Sequence, residues 1–239
     1  MMRKVRADLH VHTCLSPCAD TQMQATAIVK QAKEVGLDMI GICDHNSAEN
    51  VAAVAKAGLR EGLAVIPGME ITSSEEVHIL GLFNTEQDLM HLQDMVYKNL
   101  AGQNDNQVFG PQTIIDEWDR VVGTNPKLLI GATALTVEQI VEAIHRWAGL
   151  AIASHVDRER FSLIGQLGFI PEGLKLDAVE VSMASSIRQE YGYPVVTSSD
   201  AHFLEDIGKS STCFMIEDVS VDEINKALRN EMGRRIILN

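Results

Sequence analysis

"ADLHVHTCLSPCAD", residues 7–20, alternates apolar and polar residues and then presents two histidines two apart, two cysteines four apart and an aspartate. Alternation is the period of a strand, in which residues i and i+2 share a face. His10 and His12 can therefore grip one ion from the end of a strand. The fold is decided by the recurrence of this arrangement. Apolar runs near 4–12, 37–45, 63–71, 77–83, 149–155, 177–182, 194–200 and 211–217 read as strands. Ionisable residues gather at their ends: His10 and His12, then Asp44 and His45, Glu70, His78 at the start of the fourth, His155, and Asp200 with His202. Helical patterns beginning near 24, 47, 136 and 220 separate several of them. This alternation predicts an α/β protein, a barrel of the (β/α) type, with an open doubly wound sheet as the alternative. In such a barrel the C-terminal strand ends converge on the face that carries the active site.

One connection departs from the parallel pattern. The stretch between "AVIPGMEIT" and "VHILGLF" is too short for a parallel crossover, so a hairpin is expected, which would bring Glu70 close to His78. Residues 99–113, rich in Asn, Gln and Gly, read as a loop before a helix that Pro111 can open, and as a candidate lid. Ser220 followed by Glu223 has the spacing of a capping box.

The 239 residues are read as a single domain, 1–239. No apolar run approaches the ~18 residues that cross a bilayer, and the N-terminus lacks the apolar core of a secretion signal. A cytoplasmic protein with no membrane partner is expected, its four cysteines remaining thiols. The net charge of −13 argues against a surface that tracks nucleic acid. The expected partner is a small phosphorylated substrate rather than a long nucleic acid, and oligomeric state is left open.

Buried ionisable groups are costly unless paired or metal-bound, so the clustering at strand ends points to a metal site. Histidine and carboxylate donors without a CxxC cluster suit Zn, Mn or Fe bound for catalysis. The donors exceed the needs of one tetrahedral ion, so two or three ions are expected, with a carboxylate such as Glu70 able to bridge a pair. Asp8 and Asp44, each shortly before a donor histidine, are read as supports. Arg158 and Arg160, following His155 in "SHVDRER", are candidate phosphate ligands through a bidentate guanidinium.

With "DLHVHT", "ICDHNS", "IPGMEIT", "VHILGL", "IASHVDR" and "TSSDAH" in this order, the chain resembles the polymerase and histidinol phosphatase (PHP) family of metal-dependent phosphoesterases, in its stand-alone form. The resemblance implies a distorted (β/α)7 TIM-like barrel with a trinuclear site. It places His10, His12, Glu70 and Asp200 on a first metal and Glu70, His78 and His155 on a second. His45 and His202 fall on a third, with one donor from the opening stretch. Family members often supply that donor seven or eight residues after the first histidine, where this chain has Pro17 and Cys18. Asp20 is taken as the donor, a hard carboxylate suiting Mn or Fe, and Cys18 is the alternative that would bias the site toward Zn. The implied activity is hydrolysis of a phosphoester by a metal-bound hydroxide, with Glu70 and Asp200 at its centre. Two other readings stand beside it. One is an amidohydrolase-type hydrolase, against which stand Glu70 in the bridging position and the absence of a strand-end lysine; the other is a metal-binding regulatory module without activity.

Overall fold

The computed structural model describes residues 1–183 and 191–237. In chain order the elements are β1 (Arg3–Val11), α1 (Ala25–Glu34), β2 (Met39–Ile42), α2 (Val51–Glu61), β3 (Ala64–Thr72), β4 (His78–Leu82), α3 (Glu86–Asn99), β5 (Thr113–Ile115) and β6 (Val121–Thr124). They continue as α4 (Val137–Arg146), β7 (Leu150–Ala153), α5 (Leu163–Leu167), β8 (Ala178–Val181), β9 (Val195–Thr197), a 3-10 turn (Leu204–Asp206), β10 (Thr212–Ile216), α6 (Val221–Leu228) and β11 (Arg235–Ile237).

Nine strands form one sheet in the order β11-β10-β1-β2-β3-β4-β7-β8-β9. β1, β2 and β3 run parallel, as do β7, β8 and β9, while β4 is antiparallel to both of its neighbours. The sheet curls until the chain after β9 meets the end of β1: the His12 N–H donates to the Ala201 carbonyl at 3.0 Å, and the Ala201 N–H to that of His10 at 3.2 Å. The ring so formed is β1, β2, β3, β4, β7, β8 and β9, the distorted (β/α)7 barrel expected, and β10 and β11 extend the sheet beyond β1. The expected hairpin is also present, with Thr72 opposite His78.

Strand alternation divides each strand between two environments. Ile66, Leu80, Leu82, Ile152 and Ala178 belong to one apolar cluster, onto which α6 packs Val221, Ile224, Ala227 and Leu228. Met69, Ile71, Ile79 and Val179, from the alternate positions, join Ile28, Val54, Leu89 and Ile144 of the flanking helices in the other. Glu70, His78 and Glu180 share the parity of the first set. In β3, β4 and β8 the same strand face thus carries an apolar layer and an ionisable one. β1 and β2 approach so closely that a methyl group at Gly41 would meet the Leu9 backbone. Glycine is required there by contact rather than by dihedral angle.

The segment read as a loop before a helix opens no helix at Pro111. It leads into the β5–β6 hairpin, because the β-branched run at 113–115 finds backbone partners: the Thr113 N–H donates to the Cys14 carbonyl, and the Asn50 side chain bonds both the Thr113 carbonyl and the Ile115 N–H. A complete capping box is found at Thr136 and Gln139. At Ser220 the hydroxyl accepts the Glu223 N–H, but the Glu223 carboxylate turns elsewhere. Among the described residues no helix is long and apolar enough to cross a membrane.

Candidate metal centre

Glu70, on β3, lies at the middle of the site and is buried. Its two oxygens lie 3.0 Å from His45 Nδ1, 3.0 Å from His78 Nδ1, 3.4 Å from His10 Nε2, 3.4 Å from His155 Nε2 and 3.5 Å from His12 Nε2. Asp200 Oδ1 closes the other side at 3.0 Å from His12 Nε2 and 3.2 Å from His10 Nε2. Three groups have donor atoms close enough to share an ion: His10, His12, Glu70 and Asp200; His45, Glu70 and His78; and His12, His45 and His202. His155 borders the second. His155 and Asp200 both sit at positive φ, 29° and 52°, a conformation that side-chain-bearing residues hold only where the surroundings enforce it.

The supporting hydrogen bonds single out the outer nitrogens of His10 and His12. Ser16 Oγ donates its single proton to Asp44 at 2.6 Å, so at 2.9 Å it can only accept from His12 Nδ1–H. Glu180 accepts from His10 Nδ1–H at 3.0 Å. Both Nε2 atoms are left to face each other at 3.1 Å beside two carboxylates. Elsewhere in the cluster both Glu70 oxygens and the Nδ1 atoms of His45, His78 and His155 are buried with no hydrogen-bond partner. Buried polar atoms are rarely left so. Burial pulls His10 down, yet Glu180, Asp200 and Glu70 hold it well above the usual imidazole range. Burial likewise pushes Glu70 and Asp200 up, but the neighbouring imidazoles hold both well below the carboxylate range. His12 is driven well below the imidazole range by burial and by His202. The pocket calls for positive charge at its centre, and its donors fit divalent cations.

The predicted donors are brought together with one exception. Asp20 turns its carboxylate to the Gln22 N–H at 2.8 Å, and only its backbone N–H reaches the His202 carbonyl. Cys18 is exposed in the opening turn, and against the desolvation that raises it, its thiol is brought down to about 6 by His45 and His202. Arg158 reaches the cluster: Nη1 donates to Asp200 Oδ2 at 2.5 Å and Nε to Ser182 Oγ at 2.9 Å. Arg160 is exposed and makes no hydrogen bond or ion pair among the described residues. Asp44 accepts from Thr13 and Ser16, and Asp8 from Ser199 and Gly208, the supporting places expected of them. Sequence reasoning missed Glu180, which orients His10 and also accepts the His155 N–H at 3.2 Å. Its signal was a single carboxylate within the apolar strand "AVEV".

The PHP domain profile matches residues 8–162, and a PHP-associated profile matches residues 181–232. YqxK of Bacillus subtilis (strain 168) is 24% identical over an alignment of 275 residues that covers 100% of this chain and 65% of its own. The 5'-3' exoribonuclease Rnm of Escherichia coli (strain K12) is 36% identical over 80 residues, 31% of this chain and 26% of its own. Among solved structures, the lesion-specific endonuclease PfuEndoQ from Pyrococcus furiosus has a TM-score of 0.71 at 23% identity, over 99% of this chain and 58% of that one. Endonuclease Q in complex with a 27-mer duplex, an abasic lesion at its active site, gives 0.71 at 22% identity over 99% and 59%. At such identity the likeness carries the fold. The chain spans less than two thirds of the length of each of these relatives.

These relatives overturn the expectation of a small substrate to the exclusion of long nucleic acid, since one of the same fold holds a DNA duplex and another is an exoribonuclease. Net charge misled because it sums the whole surface, whereas a phosphodiester can be taken at one local centre. The profile match over residues 8–162, together with the imidazole and carboxylate cluster at the strand ends, establishes that the chain belongs to the PHP domain family of metal-dependent phosphoesterases.

Proposed function

We propose that this chain hydrolyses phosphodiester bonds of nucleic acid at the cluster around Glu70, using two or three divalent ions of Zn, Mn or Fe. His10, His12, Glu70 and Asp200 would hold one, and Glu70, His78 and His155 with His45 nearby a second. His45 and His202 with the Cys18 thiolate would hold a third. Bound there, such ions acidify water toward a pKa of ~7 and neutralise charge on the phosphoryl oxygens. The protein's share is orientation. Glu180 and Ser16 fix the inward nitrogens of His10 and His12, and Glu70 and Asp200 remain anionic to keep the cations in place. Arg158, anchored on Asp200 through one nitrogen and with 41% of its side chain exposed, keeps free N–H donors for a phosphate oxygen. The free thiols of all four cysteines support a reducing compartment, the cytoplasm. That β10 pairs with β1 supports the whole chain acting as one folded unit.

The observation that carries this reading is the convergence of imidazoles and Asp200 on the buried Glu70 carboxylate, both of whose oxygens lack a hydrogen-bond partner. Protein reconstituted with Mn, Fe or Zn is expected to cleave end-labelled single-stranded or duplex oligonucleotides. His12→Ala and Asp200→Asn should abolish cleavage while preserving the circular dichroism spectrum. Cleavage that survives full chelation, or oligonucleotides left intact by metal-loaded protein, would refute it.

A further inference from the structure

Phe161 closes the loop between β7 and α5, and its ring lies on the His78 imidazole with centroids 4.9 Å apart and planes inclined by 15°. Two features make this position costly for a phenylalanine. It sits at φ 55°, a region where a bulky side chain marks an outlier, and it leaves 41% of its surface to solvent. Covering His78 would require neither, because an aliphatic side chain on relaxed backbone can cover an imidazole. The strained backbone is nonetheless fixed on both sides. The Phe161 carbonyl accepts the His78 N–H at 2.9 Å, and Ser162 caps α5 by accepting the Gly165 N–H at 2.9 Å. The ring is therefore held rigidly beside the cluster with part of its surface open.

The same loop supplies His155 and Arg158. One short segment thus places a donor beside Glu70, a guanidinium on Asp200 and an exposed aromatic ring on His78. These are the fittings of a nucleotide: charge for the phosphate, and next to it an apolar face for a base.

We propose that Phe161 is a stacking platform for an unpaired nucleobase adjoining the phosphodiester held at the cluster. The proposal rests on the nucleic-acid reading above and adds to it that the strand is engaged with that base out of its duplex stack. A base can cover the ring only after leaving its own neighbours, so single-stranded or locally opened substrate is preferred. Stacking of this kind tolerates any base, because each presents a π face.

The test compares short oligonucleotides that differ at one nucleotide beside the scissile phosphate, either a normal base or an abasic analogue, on metal-loaded protein. Wild type is expected to show a KM lower by about tenfold for the substrate with the base, the scale of one base–aromatic stack. Phe161→Leu should erase that ratio, leaving kcat and the abasic substrate within about twofold, and Phe161→Trp should restore it. In equilibrium titrations, 2-aminopurine at the same position should be quenched by wild type and by Phe161→Trp but not by Phe161→Leu. A base preference that survives Phe161→Leu overturns the proposal, as does an equal loss on both substrates, which marks a merely structural cover for His78. If wild type cleaves no oligonucleotide, the functional reading itself fails and takes the platform with it; a failure of the platform alone leaves cleavage intact.

Discussion

Glu180 does for His10 what Ser16, committed to Asp44, does for His12: it accepts the proton on the outer ring nitrogen and so turns the inner lone pair toward the centre. Carboxylates in this place typically raise metal affinity 10- to 100-fold. Glu180→Gln keeps the shape but loses the charge, and should weaken metal binding by about that factor, measured by competition with a chromophoric chelator. An unchanged affinity would remove Glu180 from the site. The next residue-scale question is the opening turn. Cys18→Ser should lower the metal count by one per chain and abolish the near-ultraviolet thiolate charge-transfer band of the Co(II)-substituted protein, whereas Asp20→Asn should leave both unchanged. The opposite pair of results would return the donor role to Asp20. Most of the residues that converge on Glu70 were legible because histidines and carboxylates at strand ends can be placed by parity. The choice between Cys18 and Asp20 was not. It depends on the turn in which the Ala19 N–H donates to the Ser16 carbonyl and the Asp20 N–H to that of His202, and donor hardness, which favoured Asp20 although the family spacing falls on Pro17 and Cys18, says nothing of where a side chain points.

At the scale of elements, α6 shows how a correct spacing can carry a different interaction. Ser220 caps the helix, but Glu223 accepts from Arg234 Nε, Lys226 Nζ and the Glu217 N–H, each at 2.9 Å. It thereby ties α6 to the chain on either side, where β10 ends and β11 begins. The residue is 5% exposed, and these bonds, that of Arg234 foremost, lower its carboxyl from 4.5 to about 2. A depressed folded-state value means that the stabilisation is fully present above the unfolded value of 4.5 and is lost as pH falls from there toward 2. Glu223→Gln should therefore cost on the order of 2 kcal/mol at pH 7, the scale of hydrogen bonds to a charged group. The two unfolding curves should converge near pH 2, and a gap that persists in acid would mean that packing rather than charge was lost. The eight apolar runs read as strands are all strands, because burial enforces the period of two. β5, β6 and β11, of three or four residues each, are too short to display a period, and at Pro111 the helix-start signal yielded to backbone partners supplied by Cys14 and Asn50.

For the whole molecule, acidity and a nucleic-acid substrate are compatible only if few phosphates are engaged. The net charge of −13 says nothing of local patches, but among the described residues the cations of the loop beside the cluster are Arg158, on Asp200, and exposed Arg160. For single strands the logarithm of affinity falls with the logarithm of salt at about 0.7 per phosphate neutralised. Two arginines then imply a slope near −1.4, against the slope of about −10 seen where a protein contacts many phosphates. Measured as log(1/KM) for a single-stranded oligonucleotide against log of monovalent salt, at saturating divalent metal, the dependence should be this shallow. Arg158→Ala should remove roughly half of it. The same locality predicts that KM stops improving once the strand is a few nucleotides long, since the Phe161 platform and the arginine pair are the holds proposed among the described residues. A slope steeper than about −4 would require some six neutralised phosphates. An extended binding surface would then have to exist away from the barrel mouth, and the site around Glu70 would be the cutting point of a larger interface rather than the whole of it.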